Sequence, residues 1–439
     1  MNRLFLPLFS LLFCGLVFCS NTGKSKETVK SFEKSDCCKL DSKNTYEVYI
    51  PERNNIVEKL PLLVIIDAHG SGKFALDKFK QGANQYRAVI IASNLIKNGF
   101  EGYEGVIQTL IEDVRQKYPI GEIVFMTGFS GGARMALGYA LAHQLNGLIL
   151  CGALANADQI RAIRCPVISI SGMDDFNFIE TAQYLFQENL TPGNLKIELT
   201  NASHNWPESL TLTNALGFLR LSCQAADITI LPKSQLKIYC QNQQSKINSL
   251  QQKGEFLKAA LVARNMASTE PFKSDKTFAS TYDMLKINTN YNSQLSRLEK
   301  ELKFEISVRQ PYLEAFQTKD TMWWKNEIRT TEGKITTEKD SYTKDTYKRI
   351  KGFLGIASYS LCKNAVKAQN VEVLNKILSI YRILEPENPD MFYFSSFPYF
   401  WKGNNKATIS MVKKALTAGF SDMGQLKRDF PESITSKIY

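Results

Sequence analysis

Between residues 45 and 222 the chain alternates short apolar runs with segments of helical periodicity. The apolar runs, each bounded by turn residues, are LPLLVIIDA, AVIIAS, EIVFMTG, GLILCGA, CPVISIS and LKIELT. Because continuous apolar runs of this length suit strands that are buried on both faces, they predict a parallel sheet. Between the second and third runs, Val106, Ile107, Leu110, Ile111 and Val114 recur at helical spacing. Alternating strands and helices predict an α/β three-layer sandwich with a mostly parallel sheet.

From residue 223 onward the pattern changes to amphipathic helical runs with few glycines. These runs include LQQKGEFLKAALVARNMAS, QLSRLEKELKFEISV, VLNKILSIYRILEPENPD and ATISMVKKALTAGF. The last two, with MFYFSSFPYFWKGNN between them, resemble tetratricopeptide-type helix pairs in their rhythm and in a Tyr-x-x-x-Gly joint. We therefore expect residues 223–439 to form an all-α domain, with tetratricopeptide-like repeats as the form that this resemblance implies.

Residues 1–19 differ from both halves, because one positive charge at Arg3 is followed by an almost unbroken apolar run. The run is short for a membrane span and typical of a signal peptide. It resembles a bacterial lipoprotein signal, with LVFC as the lipobox and Cys19 as the lipid-bearing residue. Phe18 departs from that pattern, which leaves Cys14 or simple secretion as alternatives. We expect an exported protein anchored to a membrane of the bacterial cell envelope, on its periplasmic or surface side.

Residues 20–44 are polar, lysine-rich and non-periodic, which predicts a flexible tether between the anchor and the domain at 45–222. Seven cysteines follow Cys19, and Cys223 and Cys240 flank the predicted domain junction as the candidate disulfide. The sequence contains no CxxC pair, no HExxH motif and only three histidines, so no metal site and no cofactor are expected.

Composition and charge add little to this picture. The chain has 439 residues, 44% of them apolar and 22% charged, as in a soluble globular protein of two or three domains. The net charge of +11 comes mainly from residues 223–439, with 33 Lys/Arg against 22 Asp/Glu. This excess could meet anionic polymers or lipid headgroups, but a solvated lysine-rich helical surface is the preferred interpretation. No nucleic-acid partner is expected.

The stretch GFSGGARMALGYALAH carries the candidate chemistry. Ser130 lies between glycines where a predicted strand turns directly into a predicted helix. A nucleophile elbow needs this arrangement, because the sharp turn lifts the hydroxyl above the sheet edge. A glycine-rich packing turn is the alternative. The N–H of Gly131, directly after Ser130, would be one donor of an oxyanion hole.

A serine nucleophile needs a general base, and three histidines are available. His143 lies three helical turns beyond Ser130 and points away from the strand ends. His69 precedes the elbow, and we expect it to brace its own turn by side-chain hydrogen bonds. His204 follows a strand in LTNASHNWPE, in the chain order serine, acid, histidine, so it is the expected base. The acid should follow the strand before it, where Asp174 and Asp175 are adjacent.

The motifs HGSG, GFSGGARMA, SGMDDFNF and SHNWPE together resemble the polyhydroxybutyrate depolymerase and feruloyl esterase group of α/β-hydrolases. The resemblance covers residues 45–222 and implies that fold, with Asp175 as the acid and Asp174 as the second choice. Ser71 occupies a position where the group often has cysteine, so depolymerase specificity is not implied. The resemblance and the turns together suggest Ser71 as the second oxyanion donor. They also suggest the following residues as substrate contacts: His69, Asn94, Asn98 and Trp206.

Only residues 153–164 separate the strand after the elbow helix from the strand that precedes the acid, which leaves no room for a lid. We therefore expect an open site unless the helical domain covers it. An open site suits small esters and esters displayed on a polymer.

The leading hypothesis is an exported serine hydrolase that cleaves carboxylic esters through an acyl-enzyme, with Ser130, Asp175 and His204 as the catalytic triad. A peptidase or thioesterase on the same fold is one alternative. A non-catalytic scaffold or binding lipoprotein, whose helical domain recruits a protein partner, is another. Labelling of Ser130 by a fluorophosphonate would distinguish an activated nucleophile from a scaffold.

Overall fold

The computed structural model describes residues 28–186, 191–223 and 231–438. The predictions of a signal peptide at 1–19 and of lipidation at Cys19 fall outside these residues. Within the described part of the chain, none of the helices combines the length and the apolar character needed to cross a bilayer.

Eight strands form one sheet in the order β1-β2-β4-β3-β5-β6-β7-β8. Strands β3 to β8 are mutually parallel, and β1 and β2 add an antiparallel edge beside β4. The strands are β1 Phe32–Cys37, β2 Thr45–Ile50, β3 Leu60–Ile66, β4 Val89–Ser93, β5 Ile120–Phe129, β6 Gly147–Cys151, β7 Val167–Gly172 and β8 Leu195–Thr200. The interior strands β3 to β7 are buried along their whole length, apart from one residue near the start of β5, as the apolar runs predict.

Helices cover both faces of the sheet. The first six are α1 Gly72–Tyr86, α2 Tyr103–Lys117, α3 Gly131–Ala142, α4 Ala157–Ala162, α5 Phe178–Phe186 and α6 Ser209–Ser222. Helices α1 and α6 pack together on one face, and α2, α3 and α5 are linked by side-chain hydrogen bonds on the other.

The rest of the described chain is helical. Its helices are α7 Lys233–Gln252, α8 Phe256–Ala267, α9 Lys276–Lys286, α10 Thr289–Thr318, α11 Thr321–Thr337, α12 Ser341–Lys367, α13 Val371–Leu384, α14 Pro389–Trp401, α15 Asn405–Thr417, α16 Met423–Asp429 and α17 Glu432–Thr435. The predicted fold class is confirmed as an α/β-hydrolase three-layer sandwich followed by an all-helical region. The predicted boundary between residues 222 and 223 and the tetratricopeptide-like character of the helices stay predictions.

The two halves share one hydrophobic core, because buried residues run without a break from the sheet into α8, α9 and the first part of α10. Helix α8 also covers the outer edge of the sheet. There the Asn265 side chain donates to the Ile197 carbonyl at 2.9 Å and accepts from the Ile197 N–H at 3.3 Å. An edge strand whose backbone groups are paired in this way cannot pair with another chain at that position.

The predicted tether at 20–44 differs from the structure over its second part. Residues 32–37 form β1, which pairs antiparallel with β2. Asp36 accepts a hydrogen bond from the Tyr118 hydroxyl at 2.6 Å, and Cys38 is buried. A strand at the sheet edge needs no apolar alternation when its outer face is solvated, so its polar sequence resembles a linker. The candidate disulfide is also not formed, since Cys223 and Cys240 both carry free thiols.

The end of this N-terminal segment and the adjoining strand β2 are attached to α2 through the carboxylate of Asp113. This group is only 6% exposed, and it accepts from the Tyr46 hydroxyl at 3.0 Å, the Lys117 ammonium at 2.6 Å and the Lys39 N–H at 2.9 Å. Burial acts to raise the pKa of Asp113, but these donors outweigh it and hold that pKa below its usual value.

We expect Asp113→Ala to lower the free energy of unfolding by about 2–4 kcal/mol, because it leaves buried donors without a partner. Urea denaturation followed by circular dichroism measures this loss. The control is Glu299→Ala, which removes the exposed ion pair between Glu299 and Lys303 and should leave stability nearly unchanged. Equal stability of the two variants would contradict the role given to Asp113.

Candidate active site

The turn between β5 and α3 holds Ser130 in a strained backbone conformation, with φ 53° and ψ −117°. Close backbone packing makes this turn possible. A Cβ atom at Gly128 would lie 2.3 Å from the carbonyl group of Gly132, and one at Gly132 would lie 2.1 Å from the Ile66 carbonyl oxygen. Only glycine fits at these two positions, so the spacing of glycines around Ser130 is a steric requirement of a nucleophile elbow.

Three side chains from separate loops meet above this edge of the sheet. The Ser130 Oγ lies 2.8 Å from His204 Nε2, and His204 Nδ1 lies 2.8 Å from Asp175 Oδ1. Asp175 is buried, and its Oδ1 also accepts the Asn177 N–H at 2.8 Å. A carboxylate at Nδ1 keeps the proton on that nitrogen and leaves Nε2 free to accept the serine proton. The arrangement can therefore generate a serine nucleophile.

The neighbouring aspartates point in different directions. Asp175 faces the imidazole, whereas Asp174 Oδ2 accepts from the Lys348 ammonium of α12 at 3.0 Å. The structure thus places Asp175, and not Asp174, at the histidine.

Two phenylalanine rings enclose the imidazole of His204. The centroid of the Phe129 ring lies 4.7 Å from that of the histidine, and the centroid of the Phe176 ring lies 4.1 Å away. Phe129 ends β5 and Phe176 follows Asp175 directly, so both rings come from the segments that carry the nucleophile and the acid. The rings restrict the orientations open to the imidazole, in addition to its two hydrogen bonds.

Asp67 is a buried residue of the site that the sequence analysis did not identify. It follows β3 and is 2% exposed. Its Oδ2 accepts the Trp206 indole N–H at 2.7 Å, and its Oδ1 accepts the backbone N–H groups of His69 at 2.8 Å and Ser71 at 3.1 Å. Asp67 therefore ties the loop after β3 to the loop that carries His204. A charged residue at the end of an otherwise apolar strand was the available signal.

These contacts change two expectations. The Ser71 N–H, expected as the second oxyanion donor, donates to Asp67 because the loop after β3 wraps around that carboxylate. The His69 side chain is 72% exposed, and its Nδ1 lies 3.8 Å from Asp67 Oδ1, so it does not brace the turn with a hydrogen bond to that carboxylate.

The other expected substrate contacts divide into one residue at the elbow and two that support it. The Asn98 amide lies against Gly131, since a Cβ atom at Gly131 would be 1.6 Å from Asn98 Oδ1. The Asn94 side chain instead donates to Glu47 at 3.0 Å. Trp206 is buried against Phe129, with 5.6 Å between the ring centroids. Asn94 and Trp206 therefore stabilise the surrounding loops.

The third histidine lies at the far end of the elbow helix. His143 follows the last residue of α3, and its ring stacks on Tyr139 at a centroid distance of 4.2 Å. This placement agrees with its exclusion as the general base.

The helical region meets the loops on both sides of the three side chains. Lys97, in the loop after β4, pairs with Asp422 at the start of α16 at 2.8 Å. Asp390 of α14 lies near His69, in the loop after β3. Burial raises the pKa of Asp390, and the imidazole of His69 acts to lower that pKa. On the other side, α12 reaches Asp174. The site is therefore less open than the missing lid alone predicts.

No protein-family model and no curated protein matches this chain. Solved structures similar to it include a fluorophosphonate-binding serine hydrolase of Staphylococcus aureus, at 13% identity over 44% of this chain and 99% of that one, with a TM-score of 0.36. A lidless α/β serine hydrolase from Xanthomonas campestris is 19% identical over 44% and 94% of the two chains, with a TM-score of 0.33. A poly(3-hydroxybutyrate) depolymerase from Bordetella parapertussis is 8% identical over 43% and 87%, with a TM-score of 0.32.

The adjacent aspartates provide a matched pair of substitutions. Asp175→Asn should slow turnover of an ester substrate by about 10⁴-fold, because the imidazole loses the partner that sets its tautomer. Asp174→Asn should cost less than about tenfold, the equivalent of 1.4 kcal/mol, since this side chain pairs with Lys348 instead. Steady-state kinetics of the two purified variants measure the difference. The reverse ranking would transfer the role of the acid to Asp174.

Proposed function

We propose that this chain is a serine hydrolase that cleaves carboxylic esters through an acyl-enzyme intermediate. The observation that carries the proposal is the continuous hydrogen-bonded chain from Ser130 through His204 to Asp175, with 2.8 Å at both contacts. The strained elbow supports it, because a backbone held at φ 53° and ψ −117° for one half-buried serine has no evident structural use. The aligned and partly exposed triad also argues against a non-catalytic scaffold.

Acylation begins when Ser130 Oγ attacks the carbonyl carbon of the ester. The serine proton passes to His204 Nε2, and the imidazolium is stabilised by Asp175. As the tetrahedral intermediate collapses, the bond to the alcohol oxygen breaks and that oxygen takes the proton from His204. The alcohol leaves, and the acyl group stays on Ser130.

Deacylation repeats these steps with water as the nucleophile. His204 Nε2 accepts a proton from water as the water oxygen attacks the acyl carbon. Collapse of the second intermediate breaks the bond to Ser130 Oγ, which recovers its proton from His204. The carboxylic acid leaves, and the free enzyme is restored without a cofactor.

The negative oxygen that forms in both steps needs donors that are already in place. The Gly131 N–H opens α3, where no preceding helical turn supplies an acceptor, so it is the first donor. The Asn98 amide lies against Gly131 and carries two N–H groups, so we assign it as the second donor in place of the Ser71 N–H.

The substrate class in this proposal is an ester that is small or attached to a larger molecule. Residues 153–164 contain only the short helix α4, so this connection contributes no lid over the elbow. The proposal also includes export and lipid attachment at Cys19, which rest on the sequence of residues 1–19. Metabolic labelling with a fatty-acid probe, compared between the native chain and Cys19→Ala, tests the attachment.

We expect Ser130→Ala to abolish ester hydrolysis and fluorophosphonate labelling, because the nucleophile is lost. The protein should stay folded, since the change removes only one hydroxyl. His204→Ala should be nearly as severe, since the nucleophile and the base act as a unit. Hydrolysis of a panel of short acyl, acetylated-sugar and feruloyl esters measures the loss of turnover in both variants. Labelling by a fluorophosphonate probe measures the reactivity of the serine.

The matched control is His143→Ala, which removes an imidazole from the far end of α3 and should leave turnover close to the native value. A requirement for His143 but not His204 would overturn the triad. A folded native chain that neither reacts with the probe nor hydrolyses any ester would overturn the proposed function.

The oxyanion assignment has its own test. Asn98→Ala should lower kcat by about 10²-fold, as expected when one preorganised donor is lost, with little change in KM. Asn94→Ala is the control from the same loop, because its amide bonds to Glu47 and does not reach the elbow. Equal kcat values for Asn98→Ala and the native chain would return the second donor to the backbone of the loop after β3.

A further inference from the structure

The loop that carries the catalytic acid is held by side chains of the helical region. An Nη1 donor of Arg349, in α12, bonds to the carbonyl of Met173, and Arg309 Nη2, in α10, donates to the carbonyl of Phe176 at 2.7 Å. These carbonyls lie two residues before Asp175 and one residue after it. The loop is therefore gripped on both sides of the acid by guanidinium groups that come from another part of the chain.

The two arginines are joined by one buried carboxylate. Arg349 Nε pairs with Glu305 Oε2 at 2.7 Å, and Arg309 Nη2 pairs with Glu305 Oε1 at 2.5 Å. The side chains of Arg349 and Glu305 have no exposed surface, and Arg349 Nη2 also donates to the Thr346 hydroxyl at 2.8 Å. Burying two charges is costly even when they are paired, so this network is weak evidence for stability. It does fix the positions of its donors to within the tolerance of a hydrogen bond.

The same helix presses on the ring beside the catalytic histidine. A Cβ atom at Gly352 of α12 would lie 3.3 Å from both Cβ and Cδ1 of Phe176. Arg349 also lies over the Phe178 ring, with 5.0 Å from its guanidinium carbon to the ring centroid. Phe176 in turn contacts the His204 ring at a centroid distance of 4.1 Å. Helix α12 thus contacts the segments before and after Asp175, including the Phe176 ring that packs against His204.

We propose that Glu305, Arg309 and Arg349 form a positioning clamp that holds Asp175 and Phe176 in the geometry needed for catalysis. The clamp residues do not contact the reacting atoms and act through Asp175 and His204. The proposal rests on the serine hydrolase function proposed above and adds that the helical region completes the catalytic site.

Two contacts outside the clamp hold the flanks of the loop, since the Met173 N–H donates to the Thr200 carbonyl at 2.9 Å and the Asn177 side chain donates to the Gly152 carbonyl at 2.8 Å. Within the loop, the Asp175 N–H bonds to the Gly172 carbonyl at 3.2 Å and the Phe178 N–H to the Asp175 carbonyl at 2.8 Å, as in a short turn. None of these contacts holds the carbonyls of Met173 and Phe176, which the arginines bind, and a displacement of about 1 Å in a catalytic group can cost about 10²-fold in rate. Removing the clamp should therefore change turnover much more than substrate binding.

The test compares Arg349→Met with the native full-length chain. Loss of the clamp should lower kcat for an activated ester by about 10- to 100-fold, with KM changed less than about threefold, because only the acid is displaced. The rate of fluorophosphonate labelling of Ser130 should fall in parallel. Arg349→Lys keeps one charged donor near the Met173 carbonyl and should recover part of kcat, which a purely structural loss would not predict.

The matched control is Arg87→Met, which removes a guanidinium paired with buried Glu58 at 2.7 Å, away from the acid loop. It should lower the unfolding midpoint as Arg349→Met does, and it should leave kcat within about twofold of native. If Arg349→Met fails to fold, Arg309→Met provides the same comparison, because Arg309 is 19% exposed and its loss is easier to accommodate.

The outcomes separate the clamp from the proposed function. A native chain that hydrolyses esters, together with folded Arg349→Met or Arg309→Met variants of unchanged kcat, would overturn the clamp and leave the hydrolase. An equal loss of kcat in Arg87→Met would also overturn it, because general destabilisation would then explain the effect. A native chain without labelling or hydrolysis would instead remove the function on which the clamp rests.

Discussion

The steric constraint at the turn between β5 and α3 determines where everything else in the site can be. Neither Gly128 nor Gly132 has room for a Cβ atom, because the first turn of α3 packs on the backbone of the neighbouring strands. That contact forces Ser130 to a positive φ and raises its hydroxyl above the sheet edge. The histidine and the acid then come from loops at the same edge, where the carboxyl ends of parallel strands meet.

The features that could be predicted from the sequence are those that depend on residues adjacent along the chain. Apolar runs predicted the interior strands, and the strand–serine–helix pattern predicted the elbow. The choice of His204 over His143 needed only the length of the elbow helix. The choice of Asp175 over Asp174 came from the spacing of a family-like motif. The structure adds the reason, since the carboxylate of Asp174 pairs with Lys348 instead.

The features that were not predicted depend on contacts between distant parts of the chain. The indole of Trp206 reaches Asp67 across 139 positions, and Arg349 reaches the Met173 carbonyl across 176. No local pattern marks either partner, because a buried arginine in an amphipathic helix has the same sequence signature as a solvated one. Strand β1 was missed for a different reason, since a polar edge strand and a linker have similar composition.

The separation between the acid loop and its arginines also bears on biogenesis. A chain made from its N-terminus exposes Ser130, Asp175 and His204 well before residues 305–349 are synthesised. Under the clamp proposal, the nascent hydrolase half has every catalytic side chain and still lacks the support that aligns them. Under that proposal, full catalytic rate is reached only after the helical half has folded onto it, so the order of synthesis delays full activity until the whole molecule is assembled.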